Sequence, residues 1–379
     1  MTQEKPLAKQ GFNIMDSDIH VREPHDLWQR LVEPYFRNEA PHYEQVPAGS
    51  GKSRMVVAGR PIPPDRHYEA QKQWTERHDA DARYASAKAR GWDSVSMLAA
   101  MDTEGVDKGV VFPTRGLYAL ATDALPGDAA LGIARAYNNW LDDYLGGSRT
   151  RLYGAAMIPP HDIDLAVQET KRSVHALGFK AIFLRPNPVH GRNWHDPYYD
   201  PLWAKLEELD VPVCFHEANA PDLAYIGDRF DSVFLQHIVC HPLEQMMLMT
   251  SLIAGGVLER FKKLRVAFLE GNCSWAQYMI WRMDDHAERR AKYLAPYLKR
   301  KPSEYFQDGR CFISIDCDEE PAKYTIDWLG DSSLVFSTDY PHSDSRYPKA
   351  TAEFLKMPLP EISKRKILWE NCRRLYQIK

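Results

Sequence analysis

The chain has 379 residues, with 48 Lys+Arg against 52 Asp+Glu, 44% hydrophobic and 26% charged residues, the balance of an ordinary globular protein and not of a disordered, collagenous or coiled-coil chain. A formal net charge of -4 offers no basic footprint to a phosphate backbone or an anionic bilayer, so nucleic-acid and membrane partners are not expected. No window approaches the ~20 consecutive apolar residues of a membrane span, and the N-terminus lacks the apolar centre of a signal peptide, so a cytoplasmic protein is expected.

The first β-branched run predicts a strand over 13–19 that closes on Met15-Asp16-Ser17-Asp18-Ile19-His20. Alternate residues of a strand share a face, so Asp18 and His20 point the same way from its end. Residues 38–94 follow, rich in Pro, Arg, His and charge and without a strand pattern. They read as an insertion after the first strand, serving either as a lid or partner-binding arm or as a surface excursion with no part in chemistry. Within it, Ala48-Gly49-Ser50-Gly51-Lys52-Ser53 imitates a phosphate loop, but Val46 stands where the first glycine is needed, and the reading is discarded. Further runs predict strands over 108–112, 151–158, 179–185, 211–216, 264–270, 311–316 and 333–338, separated by stretches of helical length such as 166–177. An apolar helix is expected within 228–256, with Met246, Met247 and Met249 as core filler. Eight strands alternating with helices define the α/β class and predict a (β/α)8 TIM barrel, one domain over 1–379, with an open doubly wound sheet as the alternative. The six cysteines include no C-x-x-C pair and read as reduced thiols, mostly in the core.

Barrel active sites are built at the C-terminal ends of the strands. Three of the predicted strands deliver an imidazole or a carboxylate there: Asp18 with His20, His216 ahead of Glu217, and Asp339 ahead of Tyr340-Pro341-His342. Each taken singly has an ordinary structural explanation. Together they point to a metal site, and imidazole and carboxylate without thiolate suit Zn, Mn or Fe with a position left open for water or substrate. An Asp beside such an ion can also accept a proton. Arg185, at the end of the fourth strand, is a candidate clamp for a substrate carboxylate. Trp275, Tyr340 and His342 are candidates for the pocket lining, with plain packing as the alternative.

The chain from about residue 13 onward resembles the branch of the amidohydrolase superfamily that contains aminocarboxymuconate-semialdehyde decarboxylase. The resemblance rests on Asp18-Ile19-His20 with Glu23-Pro24, on Phe215-His216, on Gly255-Gly256-Val257-Leu258-Glu259-Arg260-Phe261 leading into 264–270, and on Ser337-Thr338-Asp339-Tyr340-Pro341-His342. It implies a barrel with a divalent metal, Asp18, His20, His216 and Asp339 at ligand positions, and Asp339 doubling as acid/base. Decarboxylases of the branch usually end strand six with a histidine before glycine, whereas Glu270 precedes Gly271 in this chain. With Glu23 and His241 added there are seven candidate ligands, more than one ion with open positions uses, and a dinuclear centre is expected. Other roles stay open: Glu23 as a helix cap, His241 as a ligand's partner or a substrate contact, Glu270 as a lone general acid. Asp339, Glu270 and His241 are the catalytic candidates.

In these extra residues the chain is similar to dinuclear iron or iron/manganese hydroxylases of the same branch, the 2-aminoisobutyrate hydroxylase type. That similarity implies one or two divalent ions, Fe and/or Mn ahead of Zn, and oxygen-dependent hydroxylation of a small carboxylic or amino acid. The alternatives are a metal hydrolase attacking an amide, lactone or C–C bond, a non-oxidative decarboxylase, and a metal-bearing partner subunit without catalysis. The expected partners are a small-molecule substrate and, in an oligomer, a second copy or a related chain.

Overall fold

The computed structural model describes residues 11–45, 49, 51, 53–64 and 67–379. Residues 1–10 and Ala48, Ser50 and Lys52, on which the N-terminal and phosphate-loop readings fall, lie outside the described residues. Eight strands form the barrel: β1 (Met15–His20), β5 (Lys108–Phe112), β6 (Leu152–Met157), β7 (Ala181–Leu184), β8 (Val213–His216), β9 (Val266–Leu269), β10 (Cys311–Ile315) and β11 (Leu334–Phe336). They pair in that order, each parallel to its neighbour. The ring is drawn together where Ser17 Oγ donates to the Phe336 carbonyl at 2.7 Å and the His20 amide to the Tyr340 carbonyl at 2.7 Å. The open doubly wound alternative is thereby set aside.

Strands such as Ala-Ile-Phe-Leu at 181–184 and Val-Ala-Phe-Leu at 266–269 are buried at every position, as a parallel sheet covered by helices on one face and by its own packed interior on the other requires. The crossover helices begin where the sequence can cap them; the Asp162 carboxylate, for example, accepts from the Leu165 amide at 3.0 Å to open the helix Ile163–His175. Gly154 on β6 admits the ring of Phe179, which stands 2.8 Å from where a Cβ would lie. A larger residue there would displace the aromatic ring that seals the neighbouring strand.

The 38–94 excursion corrects one expectation. It does contain strands, β2 (His42–Gln45), β3 (Ser53–Val57) and β4 (Arg60–Ile62), in an antiparallel sheet of their own. They escape pattern reading because β2 is polar and largely exposed and β4 has only three residues. The helix Tyr68–Ala80 that follows returns to the barrel mouth. His78 Nε2 bonds the Pro341 carbonyl at 2.6 Å, the Trp74 indole meets the Ser343 hydroxyl, and Tyr84 OH donates to the His342 carbonyl at 3.1 Å.

Between β8 and β9 runs the helix Val233–Met249, continued by a wider turn over Thr250–Ala254. Met249 is core, but Met247 is 48% exposed, so the methionines are not all filler. All six cysteines are buried and none is bonded to another. No helix among the described residues is long and apolar enough to cross a membrane.

Candidate metal centre

Asp18 and His20 leave the end of β1 on one face, and His216 closes β8. Glu270 follows β9 directly and Asp339 comes after Ser337 and Thr338 beyond β11, and both have left-handed backbone, φ 47° and 55°. Non-glycine residues rarely accept that conformation, and where they do the strain tends to serve a site. In both cases it turns the carboxylate toward the barrel axis.

The two imidazoles are oriented by their outer nitrogens. His20 Nδ1 lies 2.8 Å from the Pro113 carbonyl and His216 Nδ1 lies 2.8 Å from the Glu217 carbonyl. A carbonyl only accepts, so each Nδ1 carries the proton and each Nε2 presents a lone pair inward. These Nε2 atoms are 3.1 Å apart. Around them stand Asp18 Oδ1 at 3.3 Å from His20, Asp18 Oδ2 at 3.4 Å from His216, Asp339 Oδ1 at 3.4 Å from His20 and Glu270 Oε2 at 2.5 Å from His216. Both Asp18 oxygens, Glu270 Oε2 and Asp339 Oδ1 are buried without a hydrogen-bond partner. Lone pairs converging at such distances with no proton between them fit a divalent cation, and the donor set of imidazole and carboxylate matches Mn, Fe or Zn.

The charges of these groups depend on one another. Burial, helped by Glu270, Asp344 and Asp18, pushes the Asp339 carboxyl well above the usual range. Burial also works to raise Glu270, but the imidazoles of His216 and His241 outweigh it and hold that carboxyl well below its ordinary value. For His20 burial opposes the charge, and Asp18 together with Glu270 overcomes it. The crowding of carboxylates that helps to raise Asp339 is relieved by a cation.

A second rank of side chains supports the first. His342 Nδ1 sits 2.6 Å from Asp339 Oδ1, its Nε2 3.1 Å from Thr114 Oγ1, and its ring stacks on His20 at 4.0 Å between centroids. His241 Nε2 is 3.1 Å from Glu270 Oε1, and its Nδ1 is 3.1 Å from Cys240 Sγ. The cavity of 160 Å³ above the centre is lined by His241, Glu270 and His342 from the barrel and by Trp74, Thr75 and His78 from the inserted helix.

A family model described as Amidohydrolase matches residues 18–378. The chain belongs to the amidohydrolase family. It is 29% identical over 220 residues to the 2-amino-3-carboxymuconate-6-semialdehyde decarboxylase of Dictyostelium discoideum, a match that spans 58% of this chain and 58% of that protein. It is 28% identical over 296 residues to the gamma-resorcylate decarboxylase of Rhizobium radiobacter, spanning 74% of this chain and 86% of the relative. The crystal structure of a 5-carboxyvanillate decarboxylase from Novosphingobium aromaticivorans DSM 12444, with bound manganese, superposes with a TM-score of 0.70 at 18% identity, covering 99% of both chains. At that identity the superposition shows the fold.

These relatives overturn the oxygen-dependent hydroxylase expected from the sequence, since the activities they carry are decarboxylations. Glu23, expected among the ligands, is in neither group of side chains that can hold an ion. In this amidohydrolase it is not at the centre. Its carboxylate accepts from the Thr114, Arg115 and Gly116 amides at 3.1, 2.8 and 2.9 Å and so clamps the loop after β5.

Two further candidates are placed away from the cavity. Arg185 spends its guanidinium on the protein: Nε donates to Asn187 Oδ1 at 3.0 Å, one terminal nitrogen to the Leu117 carbonyl at 2.9 Å, and the other to the Glu217 carboxylate and the Ala218 carbonyl. Trp275 turns its indole back on its own loop, donating to the Gly271 carbonyl at 2.6 Å. Sequence reasoning missed Arg22, Trp74, His78, Thr114 and His237, all of which line the cavity. Only Arg22 and Thr114 carried a signal, each lying just beyond the end of a barrel strand.

Proposed function

We propose that this amidohydrolase is a metal-dependent, non-oxidative decarboxylase of an aromatic or α,β-unsaturated carboxylic acid. The observation that carries the reading is the pair of inward lone pairs on His20 and His216 ringed by the unpartnered oxygens of Asp18, Glu270 and Asp339. Decarboxylases among the relatives, and manganese in one of their structures, support the reaction class and the metal. The reading takes one ion per chain, manganese ahead of iron and zinc. His20 belongs to both groups of side chains that can hold an ion, Asp18/His20/His216 and His20/Glu270/Asp339/His342, and it has a single free nitrogen because Nδ1 is committed to Pro113. The bound ion would supply positive charge to anchor and polarise the substrate's oxygens.

The chain's own groups do the rest. Decarboxylation breaks the bond to the carboxylate carbon, leaves the electron pair on the remaining carbon and delivers a proton there; CO2 departs with no oxidant consumed. Asp339 is the proton donor in this account, with His342 and Thr114 behind it as the relay. Glu270 and His241 form the facing carboxylate–imidazole pair and hold the other wall. The helix Tyr68–Ala80 acts as a lid: Trp74 and His78 close the cavity over the reacting carboxylate and keep water from it.

The test is a panel of carboxylic acids, 2,6-dihydroxybenzoate, 5-carboxyvanillate and aminocarboxymuconate semialdehyde among them, with manganese-loaded and metal-stripped protein. The reading expects one CO2 released per acid consumed, without oxygen uptake, by the loaded protein alone. No CO2 from any of these acids with folded, loaded protein overturns it.

A further inference from the structure

Thr114, Leu117, Tyr118, Ala218 and Asn219, which come from the loops after β5 and β8, form an uncharged wall of the cavity over the metal centre. This wall is fixed from behind. Arg185 binds the Glu217 carboxylate and the Ala218 carbonyl, donates to the Leu117 carbonyl at 2.9 Å and lies over the Tyr118 ring at 6.0 Å, so one guanidinium braces both loops. Asp222 ties them again, its carboxylate accepting from Thr122 Oγ1 at 2.7 Å and its amide donating to the Ala121 carbonyl at 2.9 Å. Ala220, next after Asn219, has left-handed backbone at φ 58°, a conformation that costs free energy in a residue with a Cβ and persists where the surroundings hold it. Against this backing one group is left unused. Asn219 is 7% exposed. Tyr118 OH donates to its Oδ1 at 3.2 Å, which sets the way the amide faces, and its Nδ2 is enclosed with no hydrogen-bond partner among the described residues. That nitrogen offers two protons. Leaving a buried donor unmet is costly, and native structures seldom do so without a use for it.

We propose that Asn219, oriented by Tyr118, is a specificity residue whose Nδ2 donates a hydrogen bond to an uncharged acceptor oxygen, a carbonyl or a hydroxyl, carried by the substrate away from its leaving carboxylate. Arg185 and Glu217 balance each other's charge behind the wall, so the wall favours a neutral oxygen over a second anion. A pocket built to pair with an oxygen discriminates against an analogue that lacks it, because the analogue strands the buried donor. That the substrate's carboxylate lies at the metal centre rests on the decarboxylase reading, but the Asn219 contact is measured by binding, without turnover.

The experiment is calorimetric titration of the manganese-loaded protein with 3- and 4-formylbenzoate and with 3- and 4-vinylbenzoate. Each formyl and vinyl pair shares shape and charge and differs in a carbonyl oxygen against a CH2 group. In at least one pair the formyl compound is expected to bind about fivefold more tightly or better, the scale of a buried donor otherwise stranded. In Asn219→Ala the preference should disappear, the formyl compound weakening while the vinyl compound does not; a merely loosened pocket would weaken both alike. In Tyr118→Phe, where the amide is free to turn, the preference should shrink. Equal or undetectable binding within both pairs by the parent overturns the proposal, and that result needs no variant to fold. A preference retained in folded Asn219→Ala overturns it too, and one undiminished in Tyr118→Phe overturns the part given to Tyr118. A formyl preference without CO2 release from any acid sinks the decarboxylase reading alone. CO2 release with no formyl preference sinks the Asn219 contact alone.

Discussion

His20 and His216 face one another through their Nε2 atoms at 3.1 Å while each commits Nδ1 to a backbone carbonyl. Two lone pairs held so close repel unless a cation sits among them and the surrounding carboxylates, so the metal is expected to stabilise the folded protein. A ligand that binds only the native state adds about 2.7 kcal/mol at 100 times its Kd. Thermal melts with and without manganese should show that rise in the parent. In His216→Ala the rise should vanish and bound metal should fall, with the barrel still folded; full metal retention would remove His216 from the ligand set.

Glu23 offers a contrast. Its carboxylate serves three amides of the loop after β5, so Glu23→Ala is expected to leave metal content unchanged. It should lower stability by about 1–3 kcal/mol, the cost of stranding buried donors. Elemental analysis beside denaturant unfolding checks both halves. Loss of metal at unchanged stability would return Glu23 to the centre.

Asp339→Asn keeps an oxygen for the metal but has no proton to deliver. Turnover should drop at least ~100-fold, the lower range for losing a general acid or base, in protein that is still folded. Near-normal turnover would take Asp339 out of the mechanism.

The barrel was legible because most of its strands are buried on both faces and therefore read as short apolar runs, Ala-Ile-Phe-Leu and Val-Ala-Phe-Leu among them. The bounds of all eight agree with expectation to within about two residues. Asp18, His20, His216 and Asp339 were legible because a strand end is itself a position in the fold. Glu23 was not, since a carboxylate just past His20 looks the same in sequence whether it meets a metal or a row of amides. Trp74 and His78 were out of reach for another reason: their partners Ser343 and Pro341 lie more than 260 residues away along the chain, and only the folded insertion brings them together. The reaction was out of reach as well, because imidazole and carboxylate ligands suit ions that serve either oxidative or non-oxidative chemistry.

Away from the site, His161 predicts an acid limit on stability. Burial holds its imidazole down to about 4 from an ordinary 6.5, against a bond to the Thr122 carbonyl at 2.8 Å. Below pH 6.5 the unfolded chain binds a proton that the folded one refuses, so stability is lost as pH falls through this window and the loss levels off below pH 4. The loss amounts to about 2 kcal/mol by pH 5. Urea unfolding of the parent and of His161→Gln at pH 7 and pH 5 tests this: the variant should lose less on acidification. An equal loss in both would place the sensitivity elsewhere.

The centre built on His20, His216, Asp18 and Asp339 is proposed to remove a carboxylate without oxidation. The most direct measurement is CO2 release under argon from the acid panel by manganese-loaded protein, with dissolved oxygen followed in a parallel aerobic run. CO2 should equal the acid consumed, at the same rate with and without oxygen, and its release should be abolished by metal removal. Substrate turnover that stops under argon, or that consumes oxygen in proportion to product, would contradict it.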